Sequence, residues 1–274
     1  MAWPTSRPFR PACWRKASWY SCSIDPQTGE GKPMNTPAPL LTGEQVSAEC
    51  LQSNVQRILD DLAKNRYKNS QPARLIAVTK TVTPEVINLL KPLQILDIGE
   101  NRAQVAMPKM PLLEPDFRLH WIGRLQTNKV KYIIDSVYML HTLDRLALAQ
   151  EVQRRAAECG RVIPALVQVN ISGEEQKGGM PPEEVLPFLR QMKGFSNIHI
   201  QGLMSIMPAR ASEEELTGLF RGMRRLFDQL AQEAVEGVEM RELSMGMSGD
   251  YAIAAREGAT MVRIGTALYQ PSGR

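Results

Sequence analysis

RLIAVT at 74–79, with Lys80 directly behind it and Thr83-Pro84 three residues further on, sets the architecture of this chain. A short apolar, partly β-branched run between two charged residues has the length of a buried strand. The Thr-Pro pair supplies a helix N-cap and a first helical residue that needs no N–H. Working outward, the same unit recurs: further strands are expected at 95–98 (ILDI), 118–122 (RLHWI), 137–141 (VYMLH), 164–169 (PALVQV), 198–203 (IHIQGL), 241–245 (RELSM) and 261–264 (MVRI). Helical patterns separate them, over 126–134, over 144–158, after Pro182, after the capping box Ser212/Glu215, and over 250–257. Leu216, Leu219, Phe220, Met223, Leu226, Phe227 and Leu230 form the apolar stripe behind that box. Ahead of the first strand, Thr42 and Gln45 read as another capping box, followed by Leu51, Val55, Ile58, Leu59 and Leu62 at helical spacing. Regular βα alternation implies a parallel sheet covered by helices. Eight such units in about 200 residues fit an α/β fold of the closed (β/α)8, TIM-type kind better than an open doubly wound sheet.

The net charge of +4 is concentrated at one end, because Arg7, Arg10, Arg15, Lys16 and Lys32 outweigh Asp25 and Glu30 within Met1–Pro33. The near-neutral remainder offers no basic face for nucleic acid, and that partner is set aside. No apolar run approaches the length of a membrane span, so no membrane partner is expected. Residues 1–33 hold Trp3, Trp14 and Trp19 and much proline but no hydrophobic period and no signal-peptide core. They are read as a disordered extension or as a start assigned upstream of Met34, with an organellar transit peptide as the alternative; residues 34–274 form the single barrel domain. Cys13, Cys22, Cys50 and Cys159 lack CxxC spacing and histidine neighbours, which points to reduced cytoplasmic thiols and no metal site.

In such a barrel, function gathers where the strands end. Lys80 follows the first strand directly, where apolar walls would desolvate its amine and favour the neutral nucleophile that attacks an aldehyde; a merely solvated lysine is the alternative. The seventh strand runs into LSMGMSGD at 243–250 and the eighth into Arg263-Ile264-Gly265-Thr266. Loops after strands 7 and 8 commonly bind phosphate through free backbone N–H groups. Glu100 and Asn170, at the ends of the second and fifth strands, divide evenly between ligand contact and loop structure. His120, His141 and His199 fall on separate strands and read as satisfied barrel histidines. Triad, HExxH and P-loop patterns are absent, which removes the corresponding hydrolases and nucleotide enzymes.

AVTKT at 77–81, GENRAQ at 99–104, HWIGRLQTNK at 120–129, VNISGEEQKGG at 169–179, GLMSI at 202–206, LSMGMSGDY at 243–251 and VRIGTALY at 262–269 together resemble the YggS/PROSC-type pyridoxal phosphate homeostasis proteins, also called PLP-binding proteins. The resemblance covers roughly residues 44–270. It implies a barrel like the N-terminal domain of alanine racemase, with pyridoxal 5′-phosphate (PLP) held as a Schiff base, an internal aldimine, on Lys80. It places the cofactor phosphate near Ser244, Gly246, Gly265 and Thr266, with Met245 between the first two. Arg263 would face the phosphate or the pyridine nitrogen, and Asn101 would position the ring.

A ring nitrogen facing arginine stays unprotonated and makes a weak electron sink. The chain also ends soon after the eighth strand, so a second domain carrying a tyrosine base is not expected. The reading is therefore a monomeric, cytoplasmic, non-catalytic PLP carrier or buffer serving vitamin B6 homeostasis and donating PLP to apo-enzymes. The alternative is a PLP-dependent amino-acid racemase or related α-carbon enzyme, for which Tyr251, Tyr269 and His120 are the candidate second bases. A phosphate-sensing barrel without PLP is a third reading.

Overall fold

The chain enters the fold through α1 (Ala48–Lys64), whose buried stripe Leu51, Val55, Ile58 and Leu62 is the one the spacing anticipates. Its N-cap is Ser47, whose Oγ accepts from the Cys50 N–H at 3.2 Å. The Thr42/Gln45 pair closes a turn instead, with the Thr42 N–H donating to Gln45 Oε1 at 3.0 Å. This computed structural model describes residues 39–270; the expectation for residues 1–33 lies outside the described residues.

Eight strands follow: β1 (Arg74–Val78), β2 (Asp97–Glu100), β3 (Arg118–Trp121), β4 (Val137–Leu143), β5 (Ile163–Val169), β6 (Ile198–Ser205), β7 (Val238–Ser244) and β8 (Met261–Ile264). They pair in sequence order, all parallel, and β1 closes on β8 with Ile76 opposite Arg263, so the sheet is a closed barrel. Helices α2 (Pro84–Asn88), α3 (Ala103–Lys109), α4 (Val130–Ile133), α5 (Leu146–Glu158), α6 (Pro182–Gln191), α7 (Glu213–Gln232), α8 (Tyr251–Arg256) and α9 (Thr266–Tyr269) lie between and after the strands. The Ser212/Glu215 capping box of α7 forms as read, with reciprocal bonds of 3.2 and 2.7 Å. Among the described residues no helix is long and apolar enough to cross a membrane.

The apolar interior has two compartments. The larger packs strands against helices, including the α7 residues Leu216, Phe220, Met223, Phe227 and Leu230. The smaller, Ile76, Met139, Leu166, Met204 and Met261, comes from alternate residues of β1, β4, β5, β6 and β8 and fills the barrel itself. Asp97, His120, His141, Ser244 and Arg263 are buried too.

Two strands depart from the sequence reading: β2 spans Asp97–Glu100 and not 95–98, and β7 spans Val238–Ser244 and not 241–245. The two β2 carboxylates are buried and paired, Asp97 with Arg118 and His120, Glu100 with Lys109; Glu100, outside the expected strand, looks like a loop residue on hydropathy. Helix α3, with Pro108 in its last turn, was not anticipated.

Candidate ligand site at the mouth of the barrel

A cavity of about 510 Å³ opens where the strands end, and Lys80, Asn101, Arg263, Gly265 and Thr266 all line it. Five residues singled out from the sequence thus meet at one place, carried by β1, β2 and β8 or the turns beyond them.

Lys80 stands on a fixed base. The Thr79 N–H donates to Gly99 O at 3.0 Å, and Thr79 Oγ1 donates to Glu100 Oε1 at 2.8 Å. Lys109 Nζ donates to Thr79 O at 2.8 Å and to Glu100 Oε1 at 3.0 Å, with both ionic side chains almost wholly buried. Glu100 is therefore a structural residue, as is Asn170, whose Nδ2 donates to Glu174 O at 2.9 Å. The Lys80 side chain is exposed, so the apolar burial expected to desolvate its amine is absent.

The turn after β8, the strand that neighbours β1, brings backbone donors to the same cavity. The N–H groups of Gly265 and Ala267 converge on one oxygen, Ser248 Oγ, at 3.2 and 3.3 Å. Backbone donors aimed at a single point form a nest for an anionic oxygen. Met247, Ser248 and Gly249 carry the β7 side of the cavity wall. Gly265 allows close approach, since a Cβ there would stand 3.3 Å from Val78 Cβ.

Ser244, Met245 and Gly246 do not line the cavity. Ser244 is fully buried and accepts from Arg263 Nη1 at 2.6 Å. Met245 is fully buried in the core between strands and helices. Gly246 has φ +94°, and a Cβ there would meet Ala254 Cβ at 2.6 Å. This left-handed turn lifts the chain from the strand to the Met247–Gly249 stretch at the mouth. The expected loop does border the cavity, but through Met247, Ser248 and Gly249 and not Ser244, Met245 and Gly246, because the strand ends at Ser244 and not 245.

Val78, Ile122 and Ile206 contribute apolar surface to the same cavity, beside the polar Arg124, Gln168, Gln176 and Lys177. Asn101 Oδ1 is buried without a hydrogen-bond partner. Arg263 also donates from Nη2 to Ser205 O at 2.7 Å; burial pushes its guanidinium down to about 10, partly offset by the Asp250 charge, so it stays cationic near neutrality. Ile122, Gln168, Ser248 and Ile206 are lining residues that the sequence reading does not single out; Ile122, Ile206 and Ser248 lie within the quoted motifs, Gln168 does not.

Tyr251, Tyr269 and His120 are not among the lining residues. The Tyr251 hydroxyl donates to Asp61 at 2.7 Å, and burial pushes its pKa up to about 12. Tyr269 is buried and its hydroxyl is pushed upward by that burial and by Glu100.

Residues 47–272 match the family described as alanine racemase, N-terminal domain. The pyridoxal phosphate homeostasis protein of Aquifex aeolicus is 43% identical over 219 residues, 78% of this chain and 95% of that protein. The chain belongs to the pyridoxal phosphate homeostasis protein family. A solved member of similar size, PipY of Synechococcus elongatus, superposes with TM-score 0.74 and 31% identity without PLP, and 0.72 and 30% with PLP bound, covering 80% of this chain and 100% of PipY in each case. An alanine racemase of Clostridium difficile shares the fold at TM-score 0.67 and 16% identity, with 82% of this chain matching 58% of that one.

Proposed function

We propose that this chain binds PLP covalently through Lys80 and serves as a cytoplasmic, monomeric carrier that buffers the cofactor and donates it to apo-enzymes. The observation that carries the reading is the meeting, in one cavity, of a lysine amine with converging backbone donors, in a family whose relatives bear a homeostasis name and whose member PipY holds PLP. When bound, PLP supplies an aldehyde that condenses reversibly with a primary amine and a phosphate dianion.

The residues fit those two groups. Lys80 offers a solvent-accessible amine with no ion pair among the described residues to displace. Ser248, Gly265 and Thr266, with the Ala267 N–H, would hold the phosphate, and Arg263 would face the ring nitrogen. Asn101, with an unpartnered amide oxygen, would orient the ring edge. Val78, Ile122 and Ile206 would flank the ring and exclude water. Ser244, Met245 and Gly246 would act from behind this surface by holding Arg263 and the loop.

Support for carriage over turnover comes from the arrangement of bases. Racemisation needs proton donors on both faces of the reacting carbon, and none of Tyr251, Tyr269 and His120 lines the cavity. An arginine at the ring nitrogen further weakens the cofactor as an electron sink. The test mixes PLP-loaded protein with an apo PLP-enzyme while assaying racemisation over a panel of amino acids. Reactivation of the apo-enzyme with racemisation at the free-PLP background is expected. Turnover at enzymatic rates that disappears in Lys80→Ala would replace the carrier with the racemase.

A further inference from the structure

The interior of the barrel carries a chain of polar groups that the site just described does not use. Arg263 Nη1 lies 2.6 Å from Ser244 Oγ, Ser244 Oγ 3.0 Å from His141 Nδ1, His141 Nε2 2.9 Å from His120 Nδ1, and His120 Nε2 2.8 Å from Asp97 Oδ1. Asp97 Oδ2 then accepts from Arg118 Nη2 at 2.6 Å, and the Arg118 side chain is 39% exposed at the start of β3. The chain thus crosses from the opposite end of the barrel to the cavity floor, alongside Ile76, Met139, Leu166, Met204 and Met261.

We propose that Asp97, His120, His141 and Ser244 form a one-way hydrogen-bond relay that positions Arg263 and holds its guanidinium in one orientation at the cavity. The proton count fixes the direction. Arginine has only donors, so the Ser244 oxygen must accept from Arg263 and its own proton must go to His141 Nδ1. A histidine accepting at Nδ1 while neutral carries its proton on Nε2, so His141 donates to His120 Nδ1, and His120 in turn donates from Nε2 to Asp97. The ionised carboxylate is the only group in the chain that accepts without donating.

Reversal fails at both ends. It would set a bare His120 nitrogen against the Asp97 carboxylate, and leave the serine proton facing a guanidinium. Burial lowers both histidines from their ordinary value, His141 the more strongly, which keeps them in the neutral form this count requires. Asp97 is raised by burial, but the hydrogen bond from His120 and the charges of Arg118 and Arg74 draw it below its ordinary value, which favours the ionised carboxylate. A fully satisfied network of this kind admits one arrangement, whereas apolar side chains would fill the same space without orienting anything. Asp97, His120, His141 and Ser244 are therefore positioning residues acting through Arg263.

The consequence for PLP rests on the function proposed above, but the relay itself can be read without the cofactor. Imidazole ¹⁵N NMR on the full chain stripped of PLP should show His120 and His141 as Nε2–H tautomers at neutral pH. Ser244→Ala, a smaller residue in the same place, should shift the visible band of bound PLP and release PLP about tenfold faster, the size of one hydrogen bond to a charged group. Either histidine found as the Nδ1–H or doubly protonated form, or a Ser244→Ala protein with unchanged band and release rate, overturns the proposal. If the wild-type chain takes up no PLP, the functional reading falls while the tautomers still decide the relay.

Discussion

Replacing Lys109 by Met should destabilise the fold far more than removing a surface lysine, because Lys109 neutralises a carboxylate that has no other cation among its described partners. The Lys109 and Glu100 side chains are 5% and 2% exposed and 3.0 Å apart. Glu100 Oε2 already lacks a partner, so in Lys109→Met the carboxylate keeps only the Thr79 hydroxyl. Breaking a buried pair by removing one member costs about 3–5 kcal/mol, most of it the stranded charge. For a domain of this size that lowers the melting temperature by roughly 10 °C. The loss also frees Thr79 O, the carbonyl next to Lys80, so covalent capture of PLP should become less efficient. Guanidinium denaturation of wild type, Lys109→Met and the double variant Lys109→Met/Glu100→Gln is the assay, with the double variant recovering most of the loss because a glutamine side chain carries no charge to strand. A single variant within about 1 kcal/mol of wild type, below the range for a broken buried pair, would refute this account of the strand end.

The anion nest predicts that Gly265→Asp, whose Cβ would meet Val78 at 3.3 Å and whose carboxylate would repel a phosphate, loses PLP on dialysis, and that Ser248→Ala weakens retention less severely. Equilibrium dialysis against absorbance checks both, and wild-type retention by Gly265→Asp would remove the β8 turn from the phosphate site. The buried histidines predict an acid-sensitive fold. His141 is held well below its ordinary 6.5 by burial, so the unfolded chain binds the extra proton first; its contribution is present above about 6.5 and is lost as pH falls below it. Asp97, lowered from 3.8, adds a loss of the same sign at still lower pH. Denaturation series at stepped pH should show this slope, with His141→Leu less stable near neutrality but flatter below about pH 6.5, the reference value for an unperturbed histidine; an equal slope in both proteins would contradict the assignment.

Much of the barrel was legible because its strands are short apolar runs and its helices begin at chemical signals. MVRI at 261–264 and the Ser212/Glu215 box stand as read. What was hidden is polar. The expected β2 strand, 95–98, lies two residues early because Gly99 and Glu100 look like loop until the Glu100 partner Lys109, nine residues on, is known, while the apolar Ile95 and Leu96 look like strand. His120 and His141 were rightly read as satisfied barrel histidines, but the line that joins them to Arg263 depends on strand register, which hydropathy does not encode. The stretch after β7 expected to reach the mouth does so through Met247, Ser248 and Gly249, and which of its residues face the cavity follows from the left-handed turn at Gly246. Lys80 lines the mouth as expected, and its exposure matches the solvated alternative, not the desolvated one, since burial at a strand end depends on how far the neighbouring loops rise.

The most direct test of the account is to load the full chain with PLP, reduce it with borohydride, and map the modified peptide by mass spectrometry. Reduction should fix PLP onto Lys80 alone, and Lys80→Ala, altering an exposed side chain, should keep the wild-type melting temperature while losing both the visible band and the label. Label on Lys177 or another lysine, or a Lys80→Ala protein that still becomes yellow, would contradict it.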